Sequence, residues 1–249
     1  MMSLFSINAF AGTSEYKIND VDELKTELQY YEERGVLTED VQETIMEDTT
    51  PAAIEEFVEE KTELMIDELN SLDLDSLIDE ELGTGEVVID LGEGCEVTVE
   101  VEEGEDFDLF ASIHNFIFEA AYAATNGETM WKAYGNRYFT AKVTTLLGAG
   151  SCTMTLENHY SLSASGITER YGISDAIGLS ATTSISSETP IITDTYATTK
   201  GASDVNMYAK YAYRSGASSG NFRINTAVGY VDKDSSAGKI KVKHSWNWQ

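Results

Sequence analysis

The chain of 249 residues is long enough for one large domain or two small ones, and with 42% apolar and 10% aromatic residues it can build a core, which excludes a chain disordered by composition. Its net charge of −28 is lopsided: residues 13–108 hold 34 acids and 4 bases, residues 109–249 hold 10 acids and 12 bases. A polyanion of this kind repels nucleic acid and anionic membranes, so no nucleic-acid partner is expected.

Residues 1–11 are apolar and uncharged and end in Ala9-Phe10-Ala11, an A-x-A pattern before Gly12. They read as the remnant of a secretory signal peptide whose basic start would lie upstream. No later stretch reaches the roughly 18 to 20 apolar residues of a membrane span, so no transmembrane segment is expected. Residues 12–83 follow as an acidic helical region. Asp20 with Glu23 has capping-box spacing, and Val21, Leu24, Leu28 and Tyr31 recur at helical period until Gly35. A second helix is predicted after Thr38 with Val41, Ile45 and Met46 inward. A third starts at Thr50-Pro51, a cap followed by proline at the first helical position, with Ile54, Phe57, Val58, Leu64, Met65 and Leu69 as its stripe. A short fourth would carry Leu72, Leu74, Leu77, Ile78 and Leu82.

At Gly83 the period changes from 3.6 to 2. Val87 and Ile89, then Cys95, Val97, Val99 and Val101, alternate with polar neighbours around Gly92-Glu93-Gly94. The pattern predicts a hairpin over 86–103 with one apolar and one acidic face. The apolar stretch 107–124 fits a buried helix or two short strands equally well. From Arg137 onward the chain reads as about seven strands separated by Gly, Ser, Asn and Asp turns. The last strand places Ile240, Val242, His244, Trp246 and Trp248 on one side and Lys239, Lys241 and Lys243 on the other. The expected fold is α+β, with acidic N-terminal helices followed by an antiparallel all-β sandwich or barrel over 84–249.

The run from Trp131 to Thr140 (WKAYGNRYFT), with Leu156-Glu157-Asn158-His159-Tyr160 and Gly166-Ile167-Thr168-Glu169-Arg170-Tyr171, resembles secreted proteins of Gram-positive bacteria whose function is unknown. The resemblance covers residues 131–249. It implies a bacterial extracellular source and carries no activity with it.

The residues that could carry chemistry are few. None of His114, His159 and His244 has metal-ligand spacing to a Cys, Asp or Glu. His159 shares a strand face with Glu157, either as a base with its orienting group or as an exposed polar pair. His244 lies on the apolar parity, as a core histidine would. Asp73, Asp75, Asp79 and Glu80 loosely follow a calcium loop but lack its glycine and ligand order, so no metal or other cofactor is expected. Cys95 and Cys152, in an oxidising compartment, are expected to form a disulfide worth about 4 kcal/mol of loop-closure entropy; two separate thiols are the alternative. The ladder Lys239, Lys241, Lys243 calls for anions, from the acidic arm or from an anionic partner, or else guards an edge against aggregation. Tyr134, Tyr138 and Tyr208, with those lysines, are the candidate ligand-facing residues; Trp246 and Trp248 stand beside them as candidates, core packing being the default for Trp246.

These readings point to a secreted, non-enzymatic binding or surface-interaction protein, its unknown extracellular partner a cell-envelope polymer or a protein. One alternative is the precursor of a toxin or bacteriocin-like β module masked by an acidic pro-segment. Another is a secreted hydrolase whose site is assembled from distant residues.

Overall fold

The computed structural model describes residues 17–79, 82–106, 130–147, 150–179, 183–198, 203–215 and 218–249. Residues 1–11, expected to be a signal-peptide remnant, the stretch 107–124, His114 and Glu80 lie outside the described residues.

The fold is α+β, and its helices begin where the caps direct. Helix α1 (Val21–Glu32) starts at Asp20, whose carboxylate accepts from the Glu23 N–H at 2.9 Å. Helix α2 (Glu39–Glu47) starts at Thr38 and α3 (Pro51–Ser71) at Thr50, each hydroxyl accepting from the third residue on. Such caps satisfy donors that the first turn leaves open. A single turn, α4 (Leu74–Leu77), follows.

Among the described residues, twelve strands form two antiparallel sheets. The first joins β1 (Thr84–Gly92), β2 (Cys95–Glu105), β4 (Gly135–Leu147), β5 (Gly150–Ser163), β6 (Gly166–Gly178) and β9 (Tyr196–Thr198), in that order. The second runs β3 (Met130–Ala133), β12 (Lys239–Trp248), β11 (Ser218–Asp234), β10 (Asp204–Ser215) and β7 (Thr183–Ser187), with β8 (Ile191–Asp194) also on β10. One sheet curls into a half-barrel. The alternation read from the sequence is the alternation of the pleat: Val97, Val99 and Val101 of β2 and Phe139, Ala141 and Val143 of β4 are buried.

The two sheets touch along β5, β6 and β9, with β6 meeting β7, β8 and β10. On the side where β1 and β12 lie, the helices bridge them: α3 touches β1, β4, β11 and β12, and α4 touches β1 and β12. Phe57, Met65 and Leu69 of α3 and Leu74 of α4 join the same buried cluster as both sheets. Apolar burial of this kind is the main force holding the acidic helices to the strands.

Polar anchors fix that contact. The turn Gly92-Glu93-Gly94 has positive φ at all three residues, including the non-glycine Glu93 at 54°. Glu32 on α1 accepts from the Glu93 and Gly94 N–H groups at 3.1 and 2.9 Å. Lys61 on α3 is buried, pairs with the Glu93 carboxylate and donates to the Leu91 carbonyl. At the other end, Asn70 Oδ1 accepts from the Trp248 N–H at 2.8 Å, and the Trp246 indole donates to the Leu69 carbonyl at 2.8 Å. The exposed edge of β12 is thereby capped by helix.

The expected disulfide is absent. Cys95 and Cys152 are both buried and not bonded to each other. The register explains why. Thr145 of β4 stands between Val97 of β2 and Cys152 of β5, and Cys95 is two residues further along β2. Two strand spacings come to roughly 9.5 Å, beyond the roughly 7 Å that a disulfide spans. Cys152 Sγ instead lies 3.3 Å from Thr145 Oγ1, and burial pushes its thiol up. Intact mass is therefore expected to be the same with and without reductant, and iodoacetamide should alkylate Cys152 only after denaturation. A 2 Da gain on reduction contradicts the register.

Candidate functional site: the outer face of the first sheet

Strands β2, β4, β5 and β6 turn one face inward and the other to solvent. Near the Asp106 end, the solvent face carries an aromatic row, Tyr138, His159 and Tyr171, held opposite one another by the strand register. Tyr138 lies across Gly104, where an added Cβ would fall 2.7 Å from the ring, so the glycine makes room for it. Its hydroxyl donates to Glu102 at 2.5 Å, and that bond is the first cause pushing its pKa up to about 12.

His159 sits at the centre, only 6% exposed. Nε2 faces the Glu157 carboxylate, and Nδ1 lies 3.0 Å from Asp106 Oδ2. Tyr171 stacks on the imidazole with centroids 4.0 Å apart and planes 19° apart, while remaining 41% exposed. Arg170 pairs with the same Asp106 carboxylate, and its guanidinium lies 5.5 Å from the Tyr171 centroid. A β-bulge supplies this geometry. Tyr160 pairs with Glu169 and His159 with Tyr171, so Arg170 is the extra residue on β6. The bulge sends Glu169 inward and keeps Tyr171 on the outer face beside His159.

Ile173 and Ile177 continue the exposed face along β6, and Glu96, Glu100 and Glu102 of β2 and Glu86 of β1 share that side of the sheet. The result is a rigid aromatic patch in an acidic field. Both nitrogens of His159 are engaged, so it offers no free base. His244 is likewise enclosed, 1% exposed, with Nδ1 2.9 Å from Asp75 and Nε2 3.0 Å from the Tyr160 hydroxyl.

The residues expected to face a ligand do not converge. Tyr138 belongs to the aromatic row. Tyr134 packs against the core with its hydroxyl buried. Tyr208 lies on the other sheet under the Arg223 guanidinium, 3.9 Å from the ring centroid. Lys239 and Lys241 stand opposite Asp234 and Asp232 of β11, and Lys243 stands opposite Gly229. Over Lys239–Val242, β12 is also covered by β3, so the lysines there are not on a sheet edge. Asp75, weighed as a calcium ligand, binds His244, and Asp79 accepts from the Leu82 N–H at 2.9 Å. No group of His, Cys, Asp and Glu suited to a metal ion occurs among the described residues, and no helix among them is long and apolar enough to cross a membrane.

Sequence reasoning missed Asp106, Arg170 and Tyr171 as partners of His159. The available signal was the break in two-residue alternation at Glu169-Arg170-Tyr171. No protein-family model, curated protein or solved structure matches the chain.

Proposed function

We propose that this protein acts outside the cell as a non-catalytic binding module, with the Tyr138–His159–Tyr171 row as its recognition surface and a neutral glycan as its ligand class. The observation that carries the reading is the locked aromatic row. Tyr171 is stacked on an imidazole that two carboxylates hold, so binding costs little ordering entropy. A solvent-facing tyrosine takes the apolar face of a sugar ring, and nearby carboxylate and guanidinium groups take its hydroxyls. The surrounding glutamates oppose anionic polymers, which leaves the neutral ones. Secretion is supported by the apolar start ending in Ala9-Phe10-Ala11.

The pro-segment alternative fits less well. Helices α3 and α4 contribute buried apolar residues to the sheets' own core, and Asp75 satisfies His244, so removing them uncovers apolar surface. Lys239 and Lys241 also stand opposite Asp234 and Asp232 of β11 rather than an acid of the helical arm.

Retention on insoluble neutral polysaccharides, chitin and β-glucans among them, tests the proposal. The protein should be retained, and Tyr171→Ala should weaken retention about tenfold or more, as loss of a binding anchor does. Tyr171 is exposed enough for the variant to keep its fold. Unchanged retention by that variant, or no retention of the parent on any neutral glycan, refutes the assignment.

A further inference from the structure

A second surface lies far from the aromatic row, where α3 passes the start of β11. A cleft of about 380 Å³ separates them, within the size range of ligand sites. Val58 and Ile66 of α3, with Tyr213 and Phe222 of the sheet, form an apolar floor. Glu55, Glu59 and Glu63, spaced i, i+4, i+8 and exposed, form one rim. Like charges at this spacing repel along a helix. The nearby bases of the helical region are engaged elsewhere: Lys61 with Glu93 and Lys25 with Glu60. Among the described residues, no basic one lines the cleft.

The opposite rim is a strand edge. Strand β12 pairs with β11 from Asp234 back to Ile224, and Gln249 exchanges both backbone bonds with Arg223 at 2.8 and 3.0 Å. In an antiparallel ladder, residues two apart point their N–H and C=O the same way. Asn221 and Ser219 therefore direct theirs toward this same edge, where no strand pairs with them among the described residues. From Glu55 to Ile66 the helix rises roughly 16 Å, and Ser219–Phe222 spans roughly 10 Å. Alternate residues of an extended chain are roughly 6.7 Å apart, close to the roughly 6 Å between successive glutamates on the helix.

We propose that this cleft binds an extended basic peptide segment of a partner protein, which adds as a strand to the Ser219–Phe222 edge and sets alternate Lys or Arg side chains against Glu55, Glu59 and Glu63. Main-chain bonds supply affinity and the glutamate stripe supplies the choice of partner. The intervening side chains point to the opposite face of the sheet, away from α3.

The test is fluorescence anisotropy of a labelled Lys-Val-Lys-Val-Lys-Val hexapeptide with the full chain. Saturable binding that weakens with added salt is expected, with none for the Glu-Val counterpart. The triple variant Glu55→Gln/Glu59→Gln/Glu63→Gln, all at exposed helix positions, should bind about tenfold more weakly. Asn221→Pro removes an edge donor at a strand edge, where proline is tolerated, and should also weaken binding. Unchanged binding by the glutamine variant places the peptide elsewhere on the acidic surface, and unchanged binding by Asn221→Pro rejects strand addition; either overturns the proposal. Tyr171→Ala should leave peptide binding intact, so this result and the glycan result fail independently.

Discussion

Asp75→Ala is expected to destabilise the protein by roughly 3–5 kcal/mol, the cost of breaking a buried polar pair from one side. The Asp75 carboxylate accepts from the His244 backbone N–H at 3.1 Å and faces its Nδ1 at 2.9 Å. Alanine leaves both groups buried without an acceptor. The disturbance does not stop there. His244 stacks on Phe139 with centroids 4.4 Å apart, and its Nε2 lies 3.0 Å from the Tyr160 hydroxyl. That hydroxyl is 3.5 Å from Glu103, which pairs with Lys132. Burial, then Glu103, pushes the Tyr160 phenol well above its usual range. One chain of contacts thus ties α4 to β12, β5, β2 and β3, and Asp75 is its helical end. Against a typical stability of about 5–15 kcal/mol, the loss is large. Asp73→Ala provides the contrast. Asp73 is exposed and makes no side-chain capping bond, so its removal should change stability by no more than about 0.5 kcal/mol. Urea unfolding of both variants decides: equal midpoints would show that the Asp75–His244 contact carries no net stability.

This pair also shows how far the sequence could be read. The helix starts at Asp20, Thr38 and Thr50-Pro51 are local chemistry, decided by a side chain and an N–H three residues on. The strands of β2, β4 and β5 follow from alternation, because one face must be buried. Neither signal tells which strand lies beside which. Asp75 and His244 are 169 residues apart, and His159 and Asp106 are 53 apart. Spacing along the chain therefore offers Asp75 no partner beyond an incomplete calcium loop and offers His159 only the local Glu157. The Glu157 contact does form, but the partner that joins His159 to Arg170 comes from the end of β2. The disulfide fails for the same reason: both cysteines have buried parity, yet β4 stands between their strands. The bulge at Arg170 resets the parity of β6, which a strict two-residue period reads as one continuous face.

Glu169→Gln is expected to stabilise the protein at neutral and alkaline pH and to leave it unchanged in acid. Glu169 sits on the inward side of the bulge, 6% exposed, beside the fully buried Asn158. Burial pushes its carboxyl from the ordinary 4.5 up to about 8. The Asn158 amide and the Arg170 N–H pull the other way, but neither carboxylate oxygen gains a well-formed hydrogen bond. Between pH 4.5 and 8 the folded chain keeps a proton that the unfolded chain has released. The side chain's contribution is therefore fully present below about pH 4.5 and is lost as pH rises toward 8. At about 1.36 kcal/mol per unit, the loss reaches roughly 3 kcal/mol at pH 7 and a ceiling of roughly 5 kcal/mol at pH 8. Glutamine keeps the shape of the neutral acid and cannot ionise, so the gap between variant and parent should open over that window. Other acids titrate identically in both chains, so the gap isolates this residue. Urea unfolding at pH 4.5, 6, 7 and 8 measures it, and a gap that stays flat means that Glu169 is ionised and solvated in the folded chain. Because Glu169 adjoins Arg170 and Tyr171, ionisation loads the same bulge that holds the aromatic row. Retention on a neutral glycan should then fall between pH 7 and 9 in the parent and hold steady in Glu169→Gln.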